Sequence, residues 1–162
     1  MYWVETGSSA RLGIMARPRG GEWLDNELRG LAQGGVQVLA SMLTDEESDE
    51  LGLGELTRKT RTNSGRFFGV DFLRFPIPDR EVPRSEAAAV EFARRLHERL
   101  VAGENVAIHC RMGIGRSSLM AALVLRLCGL DADEAFKRLG AARGFPVPDT
   151  AEQRAWVTRA RL

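Results

Sequence analysis

Cys110 is the residue around which chemistry is most readily assembled in this chain. It lies in His109-Cys110-Arg111-Met112-Gly113-Ile114-Gly115-Arg116-Ser117, between the apolar run Val106–Ile108 and the apolar stretch after Arg116. That arrangement reads as strand, loop, helix. Gly113 and Gly115 let the loop backbone curve and approach a ligand closely. Successive N–H groups then point inward as an anion-binding nest. The following helix adds its N-terminal partial charge, and Arg116 offers a planar fork to two phosphate oxygens. Residues 111–116 are therefore the expected phosphate-binding set, with Arg111, Met112, Gly113, Ile114 and Gly115 leading to Arg116. The same field favours a thiolate at Cys110. A thiolate held opposite a bound phosphate is placed for in-line attack on phosphorus, giving a cysteinyl-phosphate that water hydrolyses. Ser117 is placed to donate a hydrogen bond to the sulfur as it leaves. His109 is expected to order the loop rather than act as a base, since a thiolate already formed needs none.

Cleavage of a phosphate ester also requires a proton for the leaving oxygen, and a positioned general acid contributes about 10²–10⁴-fold in rate. The best candidate is Asp79, in Phe75-Pro76-Ile77-Pro78-Asp79-Arg80. The prolines restrict this loop, and it follows a strand as the Cys110 loop does, so both are expected at one sheet edge. Asp71 is a weaker candidate because it falls inside a strand; Glu81 is a stand-in.

The elements that position these residues follow from periodicity and breakers. Tyr2–Val4 and Leu12–Ala16 read as strands joined by the turn Gly7-Ser8-Ser9. Glu22–Gln33 reads as a helix stopped by Gly34, with Trp23, Leu24, Leu28 and Leu31 near one face. Val36–Leu43 is a candidate buried strand. Thr44-Asp45-Glu46-Glu47 has the form of a capping box, and its acids read as a solvated helix start. Arg58-Lys59-Thr60-Arg61 with Arg66 reads as a solvated basic face. Phe67–Phe75 reads as one strand. Ser85–Ala102 reads as an amphipathic helix with Val90, Ala93, Leu96 and Leu100 on its apolar side and His97 at the boundary. Residues 116–128 form an apolar helix. Two more helices start at Asp131-x-x-Glu134 and Thr150-x-x-Gln153, the last running to about Arg161. Strands alternating with helices predict an α/β fold: a single domain over residues 1–162, with a central, largely parallel sheet of four to five strands flanked by helices.

Length and composition set the class. The chain has 162 residues, enough for one domain with a real core. With 23 Lys+Arg against 22 Asp+Glu there is no overall field to attract nucleic acid or an anionic membrane. Two cysteines do not make a disulfide framework, and a helix over residues 116–128 would hold Cys110 and Cys128 about 18 Å apart. Cys128, among Leu123, Val124, Leu125 and Leu127, reads as packing. The N-terminal residues lack a signal-peptide pattern and no apolar run reaches membrane-spanning length, so a cytoplasmic protein without membrane insertion is expected.

His109-Cys110-x5-Arg116-Ser117 resembles the active-site loop of protein tyrosine phosphatases and dual-specificity phosphatases. Phe75-Pro76-Ile77-Pro78-Asp79 is similar to their general-acid loop, at the spacing of small members. Residues 142–157, with Pro146, Pro148, Asp149, Thr150, Gln153 and Trp156, resemble the C-terminal part of small bacterial relatives. The resemblance spans about Val36 to Val157. It implies a phosphoric monoester hydrolase with Cys110 as nucleophile, Arg116 on phosphate, Asp79 as acid then base, and Ser117 assisting hydrolysis. It also assigns Gln153 to the attacking water, whereas the capping pattern assigns the same residue to a helix cap. The family needs no metal or organic cofactor. Its substrate here would be a phosphorylated protein or peptide, phosphotyrosine first, with inorganic phosphate as product and a monomer as the working unit. Relatives acting on phosphoinositides often carry lysines in the loop; here only Arg111 adds charge, and Met112 is bulky for its position. Two other readings compete. Sulfur transfer of the rhodanese type also uses a loop thiolate, but Arg116-Ser117 and the Asp79 loop argue against it. A phosphate-binding module without turnover would not need Cys110, Arg116 and Asp79 together.

Overall fold

A computed structural model describes residues 1–7, 9–60 and 64–162. Its strands are β1 (Tyr2–Glu5), β2 (Arg11–Ala16), β3 (Val38–Ser41), β4 (Ser64–Phe67), β5 (Val70–Arg74) and β6 (Val106–Cys110). The helices are α1 (Leu24–Gln33), α2 (Asp45–Glu50), α3 (Gly54–Lys59), α4 (Glu86–Val101), α5 (Arg116–Leu127), α6 (Ala132–Arg143) and α7 (Ala151–Arg159). The strands form one sheet in the order β1-β2-β6-β3-β5-β4. Its centre is parallel, with β6 between β2 and β3 and β5 beyond β3. Both edges are antiparallel hairpin partners, β1 on β2 and β4 on β5.

The α/β class and the parallel centre agree with the expectation, but the sheet has six strands among the described residues rather than four to five. The added strand is β4, which shares only Phe67 with the segment read as the strand Phe67–Phe75; that segment is regular only over Val70–Arg74. Phe68 and Gly69 take positive φ angles of 52° and 86° and fold the segment into the β4–β5 hairpin. Two consecutive positive φ values suit a tight two-residue turn, and glycine adopts one without strain. Other boundaries shift too. The strand read as Val36–Leu43 is regular only over Val38–Ser41. The helix read as Glu22–Gln33 opens with a 3-10 turn over Gly21–Trp23, and Trp23 is 48% exposed rather than on the buried face. Helix α3 was not anticipated: six residues are too few to show a period. The last helix ends at Arg159. The Gly7-Ser8-Ser9 turn and the basic stretch through Arg61 lie partly outside the described residues. Within that stretch, Arg58, Lys59 and Arg66 pair with Asp49, Glu55 and Asp71.

Two apolar layers cover the sheet. On one face, Leu12, Ile14, Ala40 and Ile108 pack against α4–α7; on the other, Leu39, Phe72 and Ala107 pack against α1 and α3. Alternate residues of one strand serve opposite layers, as the period of two requires. Helix α5 is buried along all of Arg116–Leu125, which explains its nearly uninterrupted apolar sequence. Helix α4 shows the opposite pattern: Val90, Ala93, Leu96 and Leu100 are buried on one side only. Central β6 and buried α5 thus form a rigid strand–loop–helix unit, and the Cys110 loop is its turn.

Candidate active site

Strand β6 delivers Cys110 to the C-terminal edge of the sheet, where the thiol is almost fully buried at 3% exposure. The loop closes over the sulfur. The Gly113 N–H donates to Cys110 Sγ at 3.3 Å, and Ser117 Oγ lies 3.3 Å from the same atom. Gly113 is at φ 70°, and a Cβ there would stand 2.4 Å from the Met15 carbonyl carbon. Only glycine lets this loop lean on the end of β2. Below the loop, His109 is fully buried, its Nδ1 3.4 Å from the Cys110 carbonyl oxygen. Burial pushes its pKa down to about 4, outweighing the opposing Cys110 carbonyl, so the imidazole is neutral at physiological pH. Cys128 differs: it is a free, half-buried thiol beside α5, and burial pushes its pKa up.

Arg116 opens α5, is 2% exposed, and is the most heavily engaged side chain of the site. Its two terminal nitrogens form a fork on Glu47, at 2.6 and 2.9 Å. Nη1 also donates to the Ile77 carbonyl at 2.8 Å, and Nη2 to Asp79 Oδ1 at 2.9 Å. Burial alone would lower the Arg116 pKa, but Glu47, the Cys110 sulfur and Asp79 together raise it. Glu47 is in turn held below the ordinary carboxylate range: burial pushes it up, and the Arg116 and Thr44 hydrogen bonds with the Arg116 and Arg111 charges pull it lower.

Glu47 is the Arg116 partner that sequence reasoning missed. The capping box on Thr44 forms as expected, with Glu47 as its third residue. The acids there are not all a solvated helix start, however, because Glu47 is mostly buried against Arg116. Nothing local to the sequence links residue 47 to residue 116. The side chain of Arg111 also differs from expectation. It does not point free charge into the loop; it pairs with Glu50 at 2.9 Å and with Glu47 at 3.5 Å. Its contribution to an anion nest is left to its backbone.

The Asp79 loop lies at the same edge. Ser41 and Met42, at and just beyond the end of β3, accept from Phe75 N and Ile77 N at 2.9 and 3.1 Å. Glu81 N donates to Pro78 O, closing a turn with Asp79 and Arg80 at its tip. Arg80 takes a left-handed φ of 62°, a conformation that strains a side-chain-bearing residue. The far end is held by Gln153 Nε2, which donates to the Glu81 carbonyl at 3.2 Å. Gln153 completes the Thr150 capping box as well, as the helix-cap reading expects, and it is fully buried. A Cβ on Gly115 would lie 2.9 Å from Gln153 Oε1, which shows how closely α7 approaches the loop. Asp71 is set apart in β5, paired with Arg66 and Arg99.

These residues enclose one cavity of about 220 Å³, lined by Asp79, Arg80, Cys110, Ile114, Arg116 and Gln153 among others. Met112 also lines it, 60% exposed. The cavity has a sulfur nucleophile, a guanidinium and a carboxylate on its walls. That set suits displacement at a tetrahedral oxyanion.

A family model described as "Polymorphic toxin system, DSP-PTPase phosphatase" matches residues 13–129, from β2 past the end of α5. No curated protein matches the chain. Among solved structures, kinase associated phosphatase, with serine in place of its catalytic-site cysteine, superposes with a TM-score of 0.80 at 22% identity, over 99% of this chain and 96% of that one. Tk-PTP in its active form gives 0.69 at 24% identity, over 99% and 98%. Human DUSP28 gives 0.65 at 21%, over 97% and 96%. These three share the fold.

Proposed function

The chain belongs to the DSP-PTPase phosphatase family of polymorphic toxin systems, and from that membership we propose a cysteinyl-phosphate mechanism for it in which Cys110, Arg116, Asp79 and Ser117 carry the reaction. It is a phosphatase of the protein-tyrosine and dual-specificity type. The observation that supports the mechanism best is the pair of contacts on one sulfur, Gly113 N–H and Ser117 Oγ, at the floor of a cavity that also holds Arg116 and Asp79.

The phosphoryl group of the substrate enters over Cys110, with its oxygens on the N–H groups of residues 111–116 and on the Nε–Nη2 fork of Arg116, whose Nη1 is taken by Glu47 and the Ile77 carbonyl. To reach that fork it displaces the Asp79 carboxylate from Arg116 Nη2. Freed from Arg116, the Asp79 carboxylate turns toward the leaving oxygen and takes up a proton from solvent before the chemical step. Sulfur attacks phosphorus and the P–O ester bond breaks; protonated Asp79 gives its proton to the leaving oxygen. In the second step Asp79, now ionised, takes a proton from water, with Gln153 positioning that water. The oxygen of that water bonds to phosphorus as the P–S bond breaks, Ser117 donates to the departing thiolate, and inorganic phosphate is released. Glu47 holds Arg116 in register throughout.

The substrate class is a phosphorylated protein or peptide, phosphotyrosine first. Met112 and Ile114 give the cavity apolar walls suited to an aryl group. Residues 1–162 act as one monomeric domain in the cytoplasm. Among the described residues no helix is long and apolar enough to cross a membrane. The test is phosphate release from p-nitrophenyl phosphate by reduced protein with EDTA present, with rapid acid quench to trap phosphate on Cys110. Turnover with a phosphocysteine intermediate is expected. No release from this ester or from a phosphotyrosine peptide would overturn the reading.

A further inference from the structure

The mouth of the cavity carries two arginines besides Arg116, and each is matched by a carboxylate from another element. Arg111 Nη2 is 2.9 Å from Glu50 on α2, and its Nε is 3.5 Å from Glu47. Arg80 Nη1 is 3.6 Å from Asp149, just before α7. Glu50 and Asp149 keep solvent-facing surface, at 65% and 38% side-chain exposure. Around the mouth, Glu47, Glu50 and Asp149 therefore face Arg80 and Arg111, apart from the Arg116 and Asp79 of the chemistry and the half-buried Arg17, whose backbone N–H donates to the Arg111 carbonyl at 3.3 Å.

A phosphopeptide brings its flanking side chains to this rim while its phosphoryl group occupies the floor. An acidic flanking residue meets no guanidinium free of a carboxylate among the described residues lining the cavity. To gain one, it must break the Arg111–Glu50 or Arg80–Asp149 pair and leave that carboxylate exposed beside it. A lysine or arginine meets the open sides of Glu50 and Asp149 without breaking either pair. Rim charges of this kind set specificity more than raw affinity.

We propose that Glu50 and Asp149 are specificity-determining residues that direct the enzyme to phosphopeptides whose phosphoresidue is flanked by lysine or arginine, and away from acidic or doubly phosphorylated ones. The proposal rests on the phosphatase reading above. Across a solvated separation of roughly 7 Å a bare carboxylate is worth about threefold, and the paired arginines offset part of that, so lysine- and glutamate-flanked peptides should differ by about two- to fourfold in kcat/KM at low salt.

The experiment measures kcat/KM at low and high salt for three phosphotyrosine peptides identical except for lysine, alanine or glutamate flanks. The enzymes are wild type, Glu50→Gln, Asp149→Asn and the double variant, with p-nitrophenyl phosphate as the reference ester. The expected result is an order of lysine over alanine over glutamate in wild type, compressed by salt. The lysine-to-glutamate ratio should fall in each single variant and approach or pass unity in the double variant. Equal rates on the three peptides, a glutamate preference in wild type, or a ratio unchanged in the variants would overturn the assignment while leaving the phosphatase intact. Absence of turnover on the reference ester as well would overturn the phosphatase reading itself.

Discussion

The two loops that meet over the cavity are built in opposite ways. The Cys110 loop joins a central strand to a wholly buried helix, and its working side chains Cys110, Arg116 and Ser117 are 3%, 2% and 0% exposed. Its curve is set by backbone: the Gly113 N–H points at the Cys110 sulfur, and the glycine itself is pressed against β2. The Asp79 loop leaves its carboxylate 62% exposed and holds its backbone at the ends, Ile77 and Glu81, while its tip is tied only by the Asp79–Arg116 and Arg80–Asp149 ion pairs. Its tip stores strain at Arg80. One loop is preorganised to bind an anion whose shape does not change. In the proposed mechanism the other must release Arg116 and then serve as acid and base, so it cannot be locked. Preorganised donors need a rigid frame, whereas a carboxylate that moves between partners needs a loose one.

This contrast can be broken at each loop. Cys110→Ser should reduce phosphate release by on the order of 10⁴-fold or more while leaving thermal unfolding nearly unchanged, measured on p-nitrophenyl phosphate and by calorimetry. Residual turnover near wild type would mean that the buried thiol is not the nucleophile. Asp79→Asn should cost about 10²–10⁴-fold in kcat on phenyl phosphate and much less on p-nitrophenyl phosphate, whose leaving group barely needs a proton. Equal losses on the two esters would remove the acid assignment.

Beneath the rigid loop, His109 supplies a stability test. Its folded pKa of about 4 lies below the ordinary 6.5, so the fold favours the neutral ring. That contribution is complete above about pH 6.5 and is lost as pH falls toward 4, where the unfolded chain binds the extra proton. Urea midpoints for wild type should drop across this window by the equivalent of up to about 3 kcal/mol more than those of His109→Asn. Parallel pH curves for the two proteins would contradict a buried neutral histidine. Last, Glu47→Gln sharpens the link between the loops. Removing the charge that holds Arg116 should cost roughly tenfold in kcat with little change in leaving-group dependence. A loss matching that of Asp79→Asn in its leaving-group dependence would place Glu47 in the proton transfer instead.

The sequence alone was enough to find the strand–loop–helix turn that lines the cavity. The spacing of Cys110 and Arg116, the glycines between them and the apolar segments on either side are local facts, and a strand–loop–helix turn is a local structure. The capping boxes at Thr44 and Thr150, the buried face of α4 and the parallel centre of the sheet were legible for the same reason. Periods of two and 3.6 and the chemistry of helix starts act over a few residues. The β4–β5 hairpin was hidden because Phe68 is an unusual residue for a positive φ, and α3 because it is too short to show a pattern. What only the tertiary structure decided is who faces whom across the cavity: Glu47 on Arg116, Glu50 on Arg111, Asp149 on Arg80 and Gln153 on the Asp79 loop. These partners are separated by tens of residues and brought together by strand order. Pairing across a parallel sheet is set by the packing of whole elements, which no short stretch of residues encodes.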